Sequence, residues 1–301
     1  MASLEQIRYL NEDKAHYRKC FKVYCDNSVG YPIRLDGLTR QWFDTITTGL
    51  AANRKSNQPL HMLGVGSGAG ETELEMMQAL ASYFGKIHNT VVEPSPDQLA
   101  KYRLRLSQTA GMDNVEVDFR EMTIEQHRRQ EAAGTTPNKY DFINAIHSFY
   151  HIENPEDILE YLYSCLKEGG ILLVVLVAGD GGAANLWNRY PDLQDSRNRQ
   201  ISSKSIRDTF KKLSIDSRTY RGKCRVDLTE CYRDAYRPSE KSDLLLDFIS
   251  HIIKFRETVG DEFYHEYLDC VASETVSERL HDNRVLFMND WEAVIAQKPA
   301  N

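Results

Sequence analysis

Between residues 59 and 177, five short apolar runs alternate with amphipathic segments, and no other feature of this chain restricts its fold as strongly. The runs are PLHMLGV, NTVVEP, NVEVDF, KYDFINAI and ILLVVLV. Between them lie ETELEMMQALASYF, with Leu74, Met77, Ala81 and Phe84 on one helical stripe, and a segment from about Asp97 to Gln108. TIEQHRRQEAA follows, then PEDILEYLYSCL with proline in its first turn. Each connection is long enough for a crossover helix, so the strands should run parallel and be buried on both faces. The pattern predicts a doubly wound α/β sheet whose ligand crevice lies at the strand C-termini.

The flanks read differently. Residues 1–57 look helical and are expected to contribute to an acceptor pocket, with 58–200 as the ligand-binding core. Residues 201–282 carry helical patterns in KSIRDTFKKL, SDLLLDFISHIIKF and DEFYHEYLDCVA and are expected to cover the crevice. Two strand-like runs in 283–301, NRVLFM and WEAVIAQ, are expected to complete the sheet.

The first strand runs into glycines at 64, 66, 68 and 70. Glycine is the default residue where φ must be positive or where a ligand approaches the backbone closely. Gly66, Gly68 and Gly70 form G-x-G-x-G between a strand and a helix, which brings a ligand against bare main chain at a helix N-terminus. A dinucleotide fingerprint needs its third glycine one place later, where this chain has Glu71. The shorter spacing resembles the S-adenosylmethionine turn of Rossmann-like methyltransferases. Glu93, at the tip of the second strand, can accept both hydroxyls of a ribose. Many such enzymes carry an acid two places before the first turn glycine; here that place is Gly64.

Composition excludes several classes. A net charge of −7 with scattered arginines and lysines leaves no electrostatic footprint for nucleic acid. No apolar run approaches the ~20 residues of a membrane span. The N-terminus lacks an apolar signal region. Six cysteines without paired spacing read as free thiols of a cytoplasmic protein. Nothing in the pattern suggests self-association, so a monomer is expected.

Several segments together resemble the histamine N-methyltransferase family, which includes relatives that methylate carnosine: LGVGSGAGE, VVEPSPDQLAKY, YDFINAIHSFYHI, LWNRY and VLFMND. The resemblance implies a class I methyltransferase that uses S-adenosyl-L-methionine, releases S-adenosyl-L-homocysteine and methylates a small imidazole or amine compound by in-line transfer. It places Gly66, Gly68, Glu93, Gln98, Thr123 (or its neighbour Ile124) and Ile146 at the cofactor. It places Tyr17, Phe21, Gly30, His147, Tyr150, His151, Trp187 and Asn289 at the acceptor. Gly30 stands where the family has a glutamate for the amine, and Ala183 where it has a second tryptophan. The acceptor is therefore expected to be bulkier or differently charged than histamine. Carnosine is one candidate, with Arg34 or Arg199 facing its carboxylate, while Asp26 or Asp36 would be needed for an ammonium.

A neutral imidazole nitrogen needs no strong base, so no obligate catalytic residue is expected, with His151 and Tyr150 as the candidates. His147 and His151 have the i,i+4 spacing that chelates a metal on a helix, but the glutamate of the zinc-protease pattern is absent and no metal is expected. Hydrolase chemistry lacks its nucleophile elbow. Three alternatives stay open: a cofactor-binding protein with a degenerate acceptor site, a methyltransferase for an unrelated small amine, and an NAD-dependent oxidoreductase.

Overall fold

The computed structural model describes residues 7–30, 39–53, 58–134, 139–194, 201–233 and 239–300. Its strands are β1 (Ser28–Val29), β2 (Leu60–Val65), β3 (Ile87–Val92), β4 (Val115–Arg120), β5 (Tyr140–Ile146), β6 (Leu166–Val177), β7 (Ser217–Gly222), β8 (Arg225–Asp227), β9 (Ser277–Arg279), β10 (Val285–Met288) and β11 (Trp291–Gln297). The chain divides into two compact units, each assembled from separate stretches.

The larger unit comprises Pro32–Leu176, Ile201–Gly222 and Glu292–Asn301. Its sheet has the order β4-β3-β2-β5-β6-β11-β7. β4, β3, β2, β5 and β6 are parallel neighbours. The chain runs outward from β2 to β4 and then returns to β5 on the other side of β2, which makes β2/β5 the topological switch point. β2, β5 and β6 are near-continuous apolar runs because helices cover both faces, whereas the edge strand β4 alternates between half-buried and exposed residues. Leu63, Ile143, Leu172, Val174, Leu176, Phe210 and Val294 join one apolar core.

Local chemistry sets where the helices begin. Ser95 caps the helix Pro96–Gln108, with proline in the first turn, where its missing N–H is not needed. Thr123 and Gln126 form a reciprocal capping box at the start of Ile124–Ala133.

The smaller unit comprises Met1–Tyr31, Val177–Gln200 and Lys223–Trp291. It has a four-stranded sheet ordered β1-β8-β10-β9, its recorded pairs all antiparallel. Leu10, Cys20, Leu244 and Ile253 are buried together in it. All six cysteines are free thiols. No described helix is long and apolar enough to cross a membrane.

Four regions depart from the expected organisation. Ile201–Gly222, expected within the helical cover, belongs to the larger unit and adds β7 to its sheet. Residues 1–57 were expected without a strand, yet β1 pairs with β8. The two C-terminal runs part company: β11 enters the large sheet and β10 pairs with β8 and β9 in the small one. The expected helix over SDLLLDFISHIIKF breaks after Ser250, because His251 (φ 60°) and Lys254 (φ 53°) are left-handed. Asp247 holds that break by accepting the backbone N–H groups of Lys254 and Phe255, both at 2.8 Å.

Leu172 lies in a central strand with no exposed surface. Leu172→Ala is expected to lower unfolding free energy by ~2–5 kcal/mol, read from urea midpoints at unchanged slope.

Candidate functional site

At the C-terminal tip of β2 the backbone turns through Gly66 (φ 62°), Gly68 (φ 55°) and Gly70 (φ 76°), where a side chain is disfavoured. The three do different work. A Cβ on Gly66 would lie 2.4 Å from the Cβ of Ser148, so this glycine allows the turn to pack on the segment after β5. A Cβ on Gly70 would press into the ring of Tyr102 at 2.7 Å, so this one seats the helix Glu71–Phe84. A Cβ on Gly68 would meet nothing within 4 Å. Packing therefore explains two of the glycines, and the third borders open space.

Glu93 follows β3, almost fully buried at 7 % exposure. One carboxylate oxygen accepts the N–H of Gly68 at 3.0 Å and the other accepts that of Ser95 at 2.9 Å. Gly66 N–H donates to Val92 O at 2.8 Å, a second tie between turn and strand. A carboxylate oxygen has more than one acceptor position, so each retains capacity for a further donor. A backbone cradle at Gly68 beside an acid with spare acceptors suits a nucleoside whose ribose presents two hydroxyls. The residues present fit such a cofactor, with Gly66, Gly68 and Glu93 able to hold it.

The other expected cofactor residues surround the same strand ends. Gln98 is half-buried in the first turn of Pro96–Gln108, its N–H directed to Ser95. Ile146 ends β5 opposite Val175. Thr123 has a structural task, since its hydroxyl accepts the Gln126 N–H. Ile124 is 5 % exposed in the apolar core and is a packing residue.

Just past β5, His147 adopts φ 51° and stacks on Tyr150 with ring centroids 6.2 Å apart and 15° between planes. Its Nδ1 lies 3.1 Å from the Tyr150 hydroxyl. Burial pushes the imidazole down to about 4, so it is neutral at cellular pH. His151 is exposed in the 3-10 turn Phe149–His151. With His147 left-handed and a 3-10 turn following, the two histidines lack the α-helical spacing on which chelation would depend.

In the smaller unit, Tyr17, Phe21 and Tyr24 of the helix Lys14–Asp26 gather around Phe248 at centroid distances of 6.0, 5.7 and 4.3 Å. Tyr24 is buried, and its hydroxyl accepts the Asn289 side-chain N–H. Tyr17 and Phe21 remain half-buried, and burial raises the Tyr17 phenol to about 12. Gly30 has φ 93°, and a Cβ there would collide with the Lys223 carbonyl oxygen at 2.2 Å. A glutamate at this place is incompatible with the local backbone.

Trp187 is half-buried in the helix Gly182–Arg189. Ala183, one helical turn earlier, is buried at 1 % exposure. Asp26 is exposed and paired with Lys22. Arg34, Asp36 and Arg199 lie outside the described residues.

Sequence reading passed over four polar residues beneath the turn: Ser67, Glu73, Asn89 and Asn144. Glu73, Asn89 and Asn144 are buried, and Ser67 is half-buried. Their one legible signal was polarity at positions where strand alternation and helical periodicity call for apolar side chains.

A family model described as a methyltransferase domain matches residues 37–213, more than half of the chain. The chain is 27 % identical to the histamine N-methyltransferase of Danio rerio, over 97 % of this chain and 98 % of that protein. It is 28 % identical to carnosine N-methyltransferase 2 of Gallus gallus, over 93 % of this chain and 86 % of that one. Among solved structures, the YcgJ protein of Bacillus subtilis aligns with a TM-score of 0.51 at 13 % identity, covering 86 % of this chain and 99 % of that one. That likeness concerns the fold.

Gly68→Ala is expected to leave the protein folded, with a backbone cost of ~1–2 kcal/mol. Because the added methyl points into the cradle, affinity for S-adenosyl-L-homocysteine should fall at least tenfold by calorimetric titration. Unchanged affinity would place the ligand elsewhere.

Proposed function

The chain belongs to the methyltransferase-domain family and is an S-adenosylmethionine-dependent N-methyltransferase, and from that premise we propose that its acceptor is a neutral ring nitrogen of a small imidazole compound. Two relatives of nearly its whole length are named for histamine and carnosine, both of which carry an imidazole. The observation that carries the reading is the neutral His147–Tyr150 pair at the tip of β5, beside a turn that packs on Ser148. Hydrogen-bonding groups without charge suit an acceptor that must keep its lone pair.

The cofactor, when bound, supplies an electrophilic methyl group. The protein's own part is to bind and orient. Gly66 and Gly68 offer backbone at the turn; with the cofactor bound, Glu93 would accept from the ribose, and Gln98 and Ile146 would be the residues to hold the nucleoside. Tyr150 and His147 are assigned to the acceptor. Holding two reactants in line lowers a barrier by up to ~7–11 kcal/mol. Imidazole has a reference pKa of ~6.5 and is mostly neutral at cellular pH, so no protein base is required.

Within this class we favour a carnosine-like acceptor over histamine. Histamine's only charge is its ammonium, and the position that would carry the pairing glutamate is Gly30, whose backbone excludes a side chain, whereas carnosine, which has an amine too, adds a carboxylate as a second handle. Breaking such a charge pair costs ~2–5 kcal/mol. Competing turnover of histamine, carnosine, histidine and aromatic amines with labelled cofactor tests this. Carnosine is expected to exceed histamine in kcat/KM, and a clear histamine preference would overturn the choice.

The pH profile provides a separate check. An imidazole acceptor is reactive when neutral, so kcat/KM should rise with pH through the acceptor's own pKa and then level off. His147 titrates near 4, below that limb. Because a general base contributes ~10²–10⁴-fold, His151→Ala should keep turnover within about tenfold of the parent. A loss beyond 100-fold with cofactor affinity intact would show that His151 acts as a base.

A further inference from the structure

Gly64 pairs with Val91 of β3 on one side and Asn144 of β5 on the other. A Cβ built on it would lie 2.2 and 2.5 Å from the two carboxylate oxygens of Glu73, and 2.4 Å from the Ser67 hydroxyl. The space belonging to a side chain at position 64 is therefore filled by a carboxylate from the first turn of Glu71–Phe84. The acid that many S-adenosylmethionine enzymes carry in this strand is missing from position 64 and present, from another element, in the same volume.

Glu73 is only 3 % exposed. Its Oε1 accepts the Asn89 side-chain N–H at 2.6 Å. Its Oε2 and the neighbouring Ser67 hydroxyl oxygen are both sealed from solvent. No lysine, arginine or histidine among the described residues forms an ion pair with it. Burial raises its pKa, against the opposing effect of Ser67, Asn89 and Asn144. A carboxyl group placed this way costs stability unless a positive charge reaches it. S-adenosylmethionine carries an ammonium on its amino-acid end, and its glycine turn lies directly above.

We propose that Glu73 is the anionic anchor for the cofactor's α-ammonium, taking the role vacated at Gly64, with the Ser67 hydroxyl between turn and carboxylate. The proposal rests on the cofactor reading given above and deepens it.

The test titrates the full chain with S-adenosyl-L-homocysteine and with 5′-methylthioadenosine, which keeps the nucleoside and thioether but lacks the amino-acid end. Glu73→Gln, close in shape and able to keep the Asn89 bond, should weaken S-adenosyl-L-homocysteine at least tenfold and leave methylthioadenosine within twofold. Equal loss for both ligands would show a purely structural role, and no loss for either would show no role; both outcomes overturn the proposal. A second variant moves the charge back to the strand. Gly64→Asp combined with Glu73→Ala should recover the preference for S-adenosyl-L-homocysteine that Glu73→Ala alone loses, and failure to recover it in a folded protein counts against the assignment. If the parent protein binds neither nucleoside, the cofactor reading itself fails and the proposal with it. If the parent binds both and Glu73→Gln loses no selectivity, only the role of Glu73 fails.

Discussion

The carboxylate of Glu93 holds two main-chain donors, Gly68 N–H and Ser95 N–H, and the arrangement of the strand ends depends on that bridge. A turn of alternating glycines has little conformational preference of its own. Charge-assisted hydrogen bonds donated to an almost fully buried carboxylate are strong enough to select one conformation for it. The bridge couples the tip of β2 to the tip of β3, and the contact between Gly66 and Ser148 couples it to the segment after β5. Three strand ends are thereby organised in advance of any ligand, which reduces the ordering cost of binding.

Buried acids elsewhere in the chain are satisfied in a different way. Asp247 contacts His16 at 2.7 Å and accepts two backbone N–H groups. Asp290 pairs with Arg225, which also reaches Glu278. Glu292 holds Arg207 and Ser203. In each, the fold supplies a cation or a histidine. Glu73 is set among amides and a hydroxyl, and that contrast gives it a functional character the others lack. The His147–Tyr150 pair follows the same economy of charge, since burial keeps its imidazole neutral.

Much of the large sheet was legible because its signals are local. The helix Glu71–Phe84 and the strand Trp291–Gln297 coincide with the stretches that periodicity picked out. The misreadings share a cause. Nothing local separates β10 from β11, because the sheet a strand joins depends on distant partners. The break after Ser250 needed the carboxylate of Asp247 to capture N–H groups seven and eight residues on.

What the sequence by itself determined is the alternation of strands and helices, the glycine turn and the acid at the end of β3, because each follows from backbone sterics or short-range periodicity. The tertiary structure alone decided which glycine borders open space, that Gly30 excludes a side chain, and that a glutamate nine positions beyond Gly64 fills its place. Those facts depend on atoms brought together from separate strands and helices, and a linear pattern carries no record of which volumes such atoms will share.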